Sequence, residues 1–290
     1  MPRPPDDAAV PPDDPAAGAW TDLSRPPLRP SAATRVLAGS QLWRELAVVA
    51  TTGSTNQDLA DRARTEDPAE GVVLSADHQR SGRGRLDRQW SAPPRSGLAV
   101  SVLLTPREVD PARWSWLPLL TGLAVVDVLQ TVAGLAARLK WPNDVLVEDR
   151  KVCGILAEVV TTRSGSVVVI GAGINVSLRS DELPVSTAIS LYLAGSASTD
   201  REVLLRAYLR ALEHRYGRWR TALGDPRVSG IGAAYRENCA TIGRTVWVEL
   251  PSGQVVEGAA DGVDDEGRLL VTDARGHTHP LAAGDVRHVR

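Results

Sequence analysis

Phenylalanine is absent from this 290-residue sequence, methionine occurs once, cysteine twice, and lysine twice against 31 arginines. Two cysteines, Cys153 and Cys239, are too few and too far apart for a disulfide framework or a metal knuckle. A basic excess is missing as well. The formal net charge of −2 argues against a protein whose business is bulk nucleic acid, so any anion site is local. No apolar run reads as long enough to span a bilayer and no apolar signal core stands at the N-terminus, so the expectation is a cytoplasmic protein with no membrane partner. The lysine shortage has a further use. The arginine bias runs through the whole chain, so a surviving lysine points to a task that Arg does not perform. Both lysines, Lys140 and Lys151, lie close together, and three of the four asparagines, Asn56, Asn143 and Asn175, fall in stretches that stand out on other grounds.

What is present is an ordinary globular composition, 43% apolar and 23% charged, on a chain long enough for one good-sized core and a small second domain. Residues 1–35 are rich in Pro, Asp and Ala and read as a disordered tail, because they cannot bury enough surface to offset ordering entropy. Residues 36–237 alternate buried-type strands with helical patterns. From 238 to 290 the texture changes to short alternating strands separated by Gly and Asp turns, as in a small β-barrel, with nothing catalytic standing out.

Four stretches carry chemistry. The run from Gln79 to Trp90 holds Arg80, Arg83, Arg85 and Arg88 with Gly82 and Gly84, a composition suited to an anion beside a planar ring. Read alone, it is equally a solvated basic loop or an RNA-touching Gly-Arg segment. Ser54-Thr55-Asn56 precedes a helical pattern at Leu59, Ala60 and Ala63. These residues are either an N-cap or hydrogen-bonding partners for a neutral polar ligand. Lys140-Trp141-Pro142-Asn143-Asp144, running into Lys151-Val152-Cys153-Gly154, reads as a hairpin whose first strand Pro142 interrupts, which makes it an edge or a bulge. Asn143 and Asp144 are displayed there, or form a plain turn. A buried strand from Ser166 ends in Gly171-Ala172-Gly173-Ile174-Asn175, where close backbone approach is implied. Thr199 to Glu202 resembles a capping box that opens a long amphipathic helix through Trp219.

Taken in order, Gly53-Ser54-Thr55-Asn56, Gln79 with Gly82-Arg83-Gly84-Arg85 and Trp90, Lys140 to Asp144, Lys151 with Gly154 to Glu158, and Gly173 to Val176 resemble the biotin protein ligases. Ser177 departs from the second Asn that members often carry. A helix-turn-helix domain is not found, so the match is to the monofunctional type and DNA is not an expected partner. The resemblance implies an α/β (α+β) catalytic domain related to class II aminoacyl-tRNA synthetases, a mixed sheet with flanking helices, followed by an SH3-like C-terminal barrel. It also implies a ligase that joins biotin and ATP into biotinyl-5′-adenylate, then moves biotin to a lysine of a biotin carboxyl carrier domain of acyl-CoA carboxylases. By the same resemblance Lys151, Arg83, Arg85 and Asp144 are catalytic. Ser54, Thr55, Asn56, Gln79, Arg83, Gly84, Arg85, Lys151 and Gly154 bind biotin, while Arg85, Arg88, Trp90, Lys140, Asn143 and Asn175 bind the nucleotide. Mg²⁺ accompanies ATP, and Asp144 either holds that ion or orients Lys151. The alternatives are a lipoate or octanoate ligase of the same fold, or a non-catalytic RNA-binding module.

Overall fold

The computed structural model describes residues 24–86 and 88–289. Most of the expected tail lies outside them, but its last part, residues 24–35, is packed against the body of the fold. Arg25 donates to both carboxylate oxygens of Glu182, Leu28 is buried in the core, and α1 spans Pro30–Leu37. A buried leucine, the hydrogen bonds of Leu28 N to Asp77 and of Arg201 to Pro26 O, and ion pairs of Arg25 and Arg29 dock a segment whose composition otherwise reads as tail.

The sheet that organises the chain follows from short apolar runs with turn residues between them. Its strands are β1 (Glu45–Thr52), β2 (Val72–Gln79), β5 (Gly97–Leu104), β6 (Ala137–Lys140), β7 (Asp144–Val147), β8 (Arg150–Thr162) and β9 (Gly165–Asn175), in the spatial order β1-β2-β5-β9-β8-β7-β6. The sheet is mixed. β1 and β2 are parallel because α2 (Thr55–Glu66) crosses over between them, and the other pairings are antiparallel. Two short strands, β3 (Gly82–Arg83) and β4 (Gln89–Trp90), fold the arginine stretch into a hairpin of its own.

Side-chain alternation divides the sheet into two faces. Leu98, Val100, Val102 and Leu104 of β5 and Val168, Ile170, Ala172 and Ile174 of β9 face α3 (Trp116–Thr131) and α4 (Arg201–Thr221) in the main core. By length and apolarity alone, Pro111–Thr131 is a candidate membrane span, contrary to the sequence reading, yet it is mostly buried as a core helix. On the opposite face, Leu103, Val160, Val167 and Val169 pack under Leu59, Ala60 and Ala63 of α2. Farther along that face the valines give way to Gly171 and Gly173, so the sheet is hollowed where α2 begins.

One local expectation is extended and one corrected. The expected hairpin forms between β7 and β8, and a second tight turn divides its first strand into β6 and β7. β6 and β7 meet at residues 141–143, and β7 and β8 at Glu148-Asp149, whose φ angles of 52° and 56° suit a primed turn. β6 is an edge strand, in keeping with Pro142 beside it. The N-cap of α4 is Asp200, which accepts from Glu202 N and Val203 N, while the Glu202 side chain pairs with Arg29 instead of closing a capping box.

After α5 (Ile231–Asn238), the strands β10 (Thr245–Glu249), β11 (Val255–Val263), β12 (Leu269–Thr272), β13 (Thr278–Leu281) and β14 (Asp285–His288) make an antiparallel five-stranded sheet ordered β13-β12-β11-β10-β14. Two indoles, one on α3 and one in the turn between β6 and β7, fasten it to the rest of the fold. Trp116 Nε1 donates to Asp265 O at 2.8 Å and Trp141 Nε1 to Gly267 O at 3.1 Å, both from fully buried side chains. β14 thereby comes to rest beside the hollowed face.

Candidate active site

The hollow is a cavity of about 690 Å³, within the range of ligand pockets. Its floor is the glycine patch. Gly154 pairs with Gly173 across β8 and β9, and Gly173 with Ala99 of β5. A Cβ built on Gly173 would stand 2.6 Å from Trp90 Cε2, and one on Gly154 would stand 3.1 Å from Trp90 Cζ3. Trp90 therefore lies flat against a surface that only glycine leaves open.

At the α2 end of the cavity the polar side chains form one network. Thr55 N and Oγ1 both donate to Gln79 Oε1, at 2.8 and 3.0 Å, and Ser101 Oγ lies 2.7 Å from Thr55 Oγ1 and 2.6 Å from Asn56 Oδ1. Asn56 Nδ2 donates to Leu156 O and to Glu158 Oε2. Ser54 accepts from Gln57 N at 3.4 Å, so it caps the helix and lines the cavity at once. Ser101 was not anticipated from sequence. A lone serine in an apolar strand carries little signal until its parity places it with Gly171 and Asn56.

At the other end lie the cations. β8 has a bulge opposite β7: Val145 pairs with Cys153, but the next residue, Leu146, pairs with Lys151. Val152 and Cys153 both point into the core, and Lys151 is turned to the cavity face, the re-aiming that a bulge permits. Its backbone is held on both sides, N to Thr187 O at 2.8 Å and O from Ile189 N at 2.9 Å. Its ammonium is 2.6 Å from Asp144 Oδ1 and 5.7 Å from the Trp90 ring centroid. Arg85 donates to Asn143 Oδ1 at 3.2 Å and reaches Gly284 O, while Asn143 is itself tied to Ile155 through its backbone and its side-chain amide. Asn175 lines the same wall and donates to Ile189 O, bracing the segment that brackets Lys151. Gly84 N donates to Arg88 O within the hairpin.

In this hairpin the glycines serve close approach rather than turning. A Cβ on Gly82 would meet Trp90 O at 2.5 Å, whereas the left-handed position belongs to Leu86, φ 53°. Arg83 is placed apart from the other cations, donating to Gln57 Oε1 at 2.6 Å on α2.

The C-terminal sheet, where nothing catalytic stands out in the sequence, also contributes to the cavity lining. Gly284, Asp285, Arg287 and His288 line the cavity, and Asp285 forms an ion pair with Arg88. Six cationic side chains, Arg83, Arg85, Arg88, Lys140, Lys151 and Arg287, thus face three carboxylates, Asp144, Asp149 and Asp285. Burial pulls the Lys140 pKa down, and Asp144 only partly offsets this against Lys151, Arg88 and Arg287. The cavity is therefore positively charged in an acidic protein, which is the condition for binding a polyanion. Each of the three carboxylates already has a cation partner, since Asp149 is paired with Arg244 at 3.5 Å. Among the described residues no group of three metal-ligating side chains occurs.

His288 reports on the seam between the sheets. Arg244 Nη1 is 3.2 Å from its Nδ1 and has only donors, so Nδ1 accepts and Nε2–H donates to Thr241 Oγ1. Burial, with Arg244 and Lys140 nearby, lowers its pKa from 6.5 to about 4. A folded-state pKa below the unfolded one means that stability from this group is intact above pH 6.5 and lost as pH falls toward 4. The melting temperature should decline across that window, and His288→Gln should flatten that part of the decline. Parallel curves for wild type and variant would refute the assignment.

Comparison with known proteins agrees with this geometry. Residues 48–175 match the model of the biotin/lipoate A/B protein ligase family, and residues 241–289 match that of the biotin protein ligase C-terminal domain. The chain is 43% identical over 273 residues to the biotin–[acetyl-CoA-carboxylase] ligase of Mycobacterium tuberculosis, covering 93% of this chain and 98% of that protein. It is 32% identical to the bifunctional ligase/repressor BirA of Escherichia coli, covering 83% and 73%. Among solved structures, the biotin protein ligase from Aquifex aeolicus in complex with biotin and ATP superposes with a TM-score of 0.72 at 26% identity, over 85% of this chain and all of that one. A relative of nearly equal extent, two matched family models and the shared mixed α/β fold lead to one assignment: the chain belongs to the biotin/lipoate A/B protein ligase family, among its biotin protein ligases.

Proposed function

We propose that this protein makes biotinyl-5′-adenylate from biotin and ATP in the cavity described above and passes biotin to a lysine of a carboxyl carrier domain in the cytoplasm. The carrying observation is one cavity with neutral hydrogen-bonding side chains around the start of α2, where the charge of Arg83 faces that of Glu158, and with the other five cations gathered beyond a glycine floor. Biotin's ureido ring is neutral and polar, and suits the network of Ser54, Thr55, Asn56, Gln79 and Ser101 around the start of α2. Its carboxylate then lies toward Lys151 and Arg85. Adenine suits the flat face of Trp90 and the wall at Asn143 and Asn175, with the phosphates among Arg85, Arg88 and Lys140.

In the first step a carboxylate oxygen bonds to the α-phosphorus and the bond from that phosphorus to pyrophosphate breaks. Two anions are pressed together, so the barrier is largely electrostatic and fixed cations lower it. Lys151 is placed for this by its bulge and its two backbone tethers, and Asp144 holds the ammonium at the cavity wall. In the second step the carrier amine attacks the acyl carbonyl and AMP leaves, its charge met by the same cations. Asp144 is occupied by Lys151, so the protein offers Mg²⁺ no preformed cage. An ion that arrived with the triphosphate and kept its waters would fit this donor set, with Asp144 as the carboxylate that would hold it and the ion supplying charge neutralisation at the phosphates.

Pyrophosphate–ATP exchange with biotin, lipoate or octanoate as the added acid tests this without a carrier protein. Exchange that depends on biotin is the expected result. Exchange with lipoate or octanoate alone would move the chemistry to the sister activity, whose long acyl chain has no use for the polar network.

A further inference from the structure

Glu158 lies on the cavity face of β8, four residues beyond Gly154, opposite Val169. The ligase reading gives it no task. Its side chain is one-third exposed, and its two carboxylate oxygens face different partners. Oε2 accepts from Asn56 Nδ2 at 3.0 Å, and Oε1 is 4.0 Å from Arg83 Nη1. Asn56 is buried and fully engaged, with Nδ2 shared between Glu158 and Leu156 O and Oδ1 against Ser101. Arg83 is half exposed and also donates to Gln57 Oε1, whose amide nitrogen is in turn held by Asp61.

Taking the biotin ligase reading as its basis, we infer that Glu158 is a positioning residue for both halves of the reaction: one oxygen fixes the Asn56 amide at the biotin end, and the other keeps Arg83 at the cavity wall. The two jobs differ in what they ask of the side chain. Holding Asn56 needs only an acceptor, which a glutamine retains. Holding Arg83 across 4.0 Å needs the negative charge, because that separation is an ion pair without a hydrogen bond. The partners also differ in freedom. Asn56 cannot turn elsewhere without leaving a buried donor unsatisfied, whereas Arg83 released from Glu158 still has Gln57 and solvent.

Glu158→Gln and Glu158→Ala separate these jobs when biotin affinity without ATP and the release rate of preformed adenylate are both measured on the full chain. Glu158→Ala should weaken biotin binding about tenfold, since it strands an amide N–H in the interior. Glu158→Gln should leave biotin affinity within about twofold and still speed adenylate release several-fold, the modest effect of a partly exposed charge. In an Arg83→Ala background Glu158→Gln should add nothing to adenylate release. Unchanged biotin affinity in Glu158→Ala, equal damage to it from both substitutions, or a glutamine effect that persists without Arg83 would each overturn the inference. Thermal melts of each variant identify a loss that is only unfolding. A wild-type protein with no biotin-dependent exchange would overturn the underlying reading itself and this inference with it, whereas an active wild type with silent Glu158 variants would overturn this inference alone.

Discussion

Lys151→Ala should lower biotin-dependent pyrophosphate–ATP exchange by about 10²–10³-fold, the usual cost of removing one preorganised donor to a charge that develops in the transition state. The fold should survive, because the Lys151 side chain is one-third exposed and its backbone tethers to Thr187 and Ile189 do not depend on the ammonium. The loss has a second source. Without the ammonium, Asp144 loses its ion-pair partner and keeps only the more distant charges of Arg85 and Lys140, so the variant both removes a positive charge and leaves a negative one less screened. Lys151→Ala combined with Asp144→Asn should therefore recover part of the rate lost in the single variant. Lys151→Arg should not restore it, since a planar fork does not place a compact point charge where the ammonium sits against Asp144 and over Trp90. Exchange within a few-fold of wild type in Lys151→Ala would remove Lys151 from the reaction.

Gly173→Val is the second large effect, and it should act on binding. Gly173 is paired on both sides, to Gly154 and to Ala99, so the backbone cannot retreat from an added side chain. The first added carbon already falls 2.6 Å from the Trp90 ring, and the two γ-methyls of valine reach farther into the cavity. Trp90 has to lift and the floor fills. Biotin affinity, read by calorimetry without ATP, should fall by about 10²-fold, comparable to overpacking a well-filled site by 1–3 kcal/mol. The melting temperature should change little, because the new methyls project into a cavity rather than into the core. Undiminished biotin binding in a folded Gly173→Val protein would show that the ligand does not use this floor.

The parts of this molecule that were legible in its sequence are those where one residue carries its own signal. Strand β9 and helices α2 and α4 follow from an apolar run, a cap and an amphipathic spacing, and both lysines and three of the four asparagines of an arginine-biased chain do fall at one cavity. Features that depend on register were hidden. The bulge that turns Lys151 outward is a property of two strands, and no pattern in Lys151-Val152-Cys153 alone reveals it. Ser101 gains its meaning from lying in register with Gly171. The contribution of Gly284, Asp285, Arg287 and His288 could not be read either, because nearly 200 positions separate Asp285 from its partner Arg88. The glycines of the arginine stretch suit close approach as well as turning, and the structure uses the former, Gly82 against Trp90 and Gly84 against Arg88, while the left-handed φ falls to Leu86.

Trp141 stands between Lys140 and Asn143-Asp144, and its indole is the peg set into the loop at Gly267. The same few residues therefore form both the wall of the cavity and the fastening of the C-terminal sheet. For protein engineering this forbids the obvious shortcut. A chain cut after α5 would not be a smaller catalyst but one with a large apolar peg drawn into water and Lys140, Asn143 and Asp144 unmoored. Trading C-terminal sheets between relatives would succeed only if the socket around Gly267 travels with the peg that fits it.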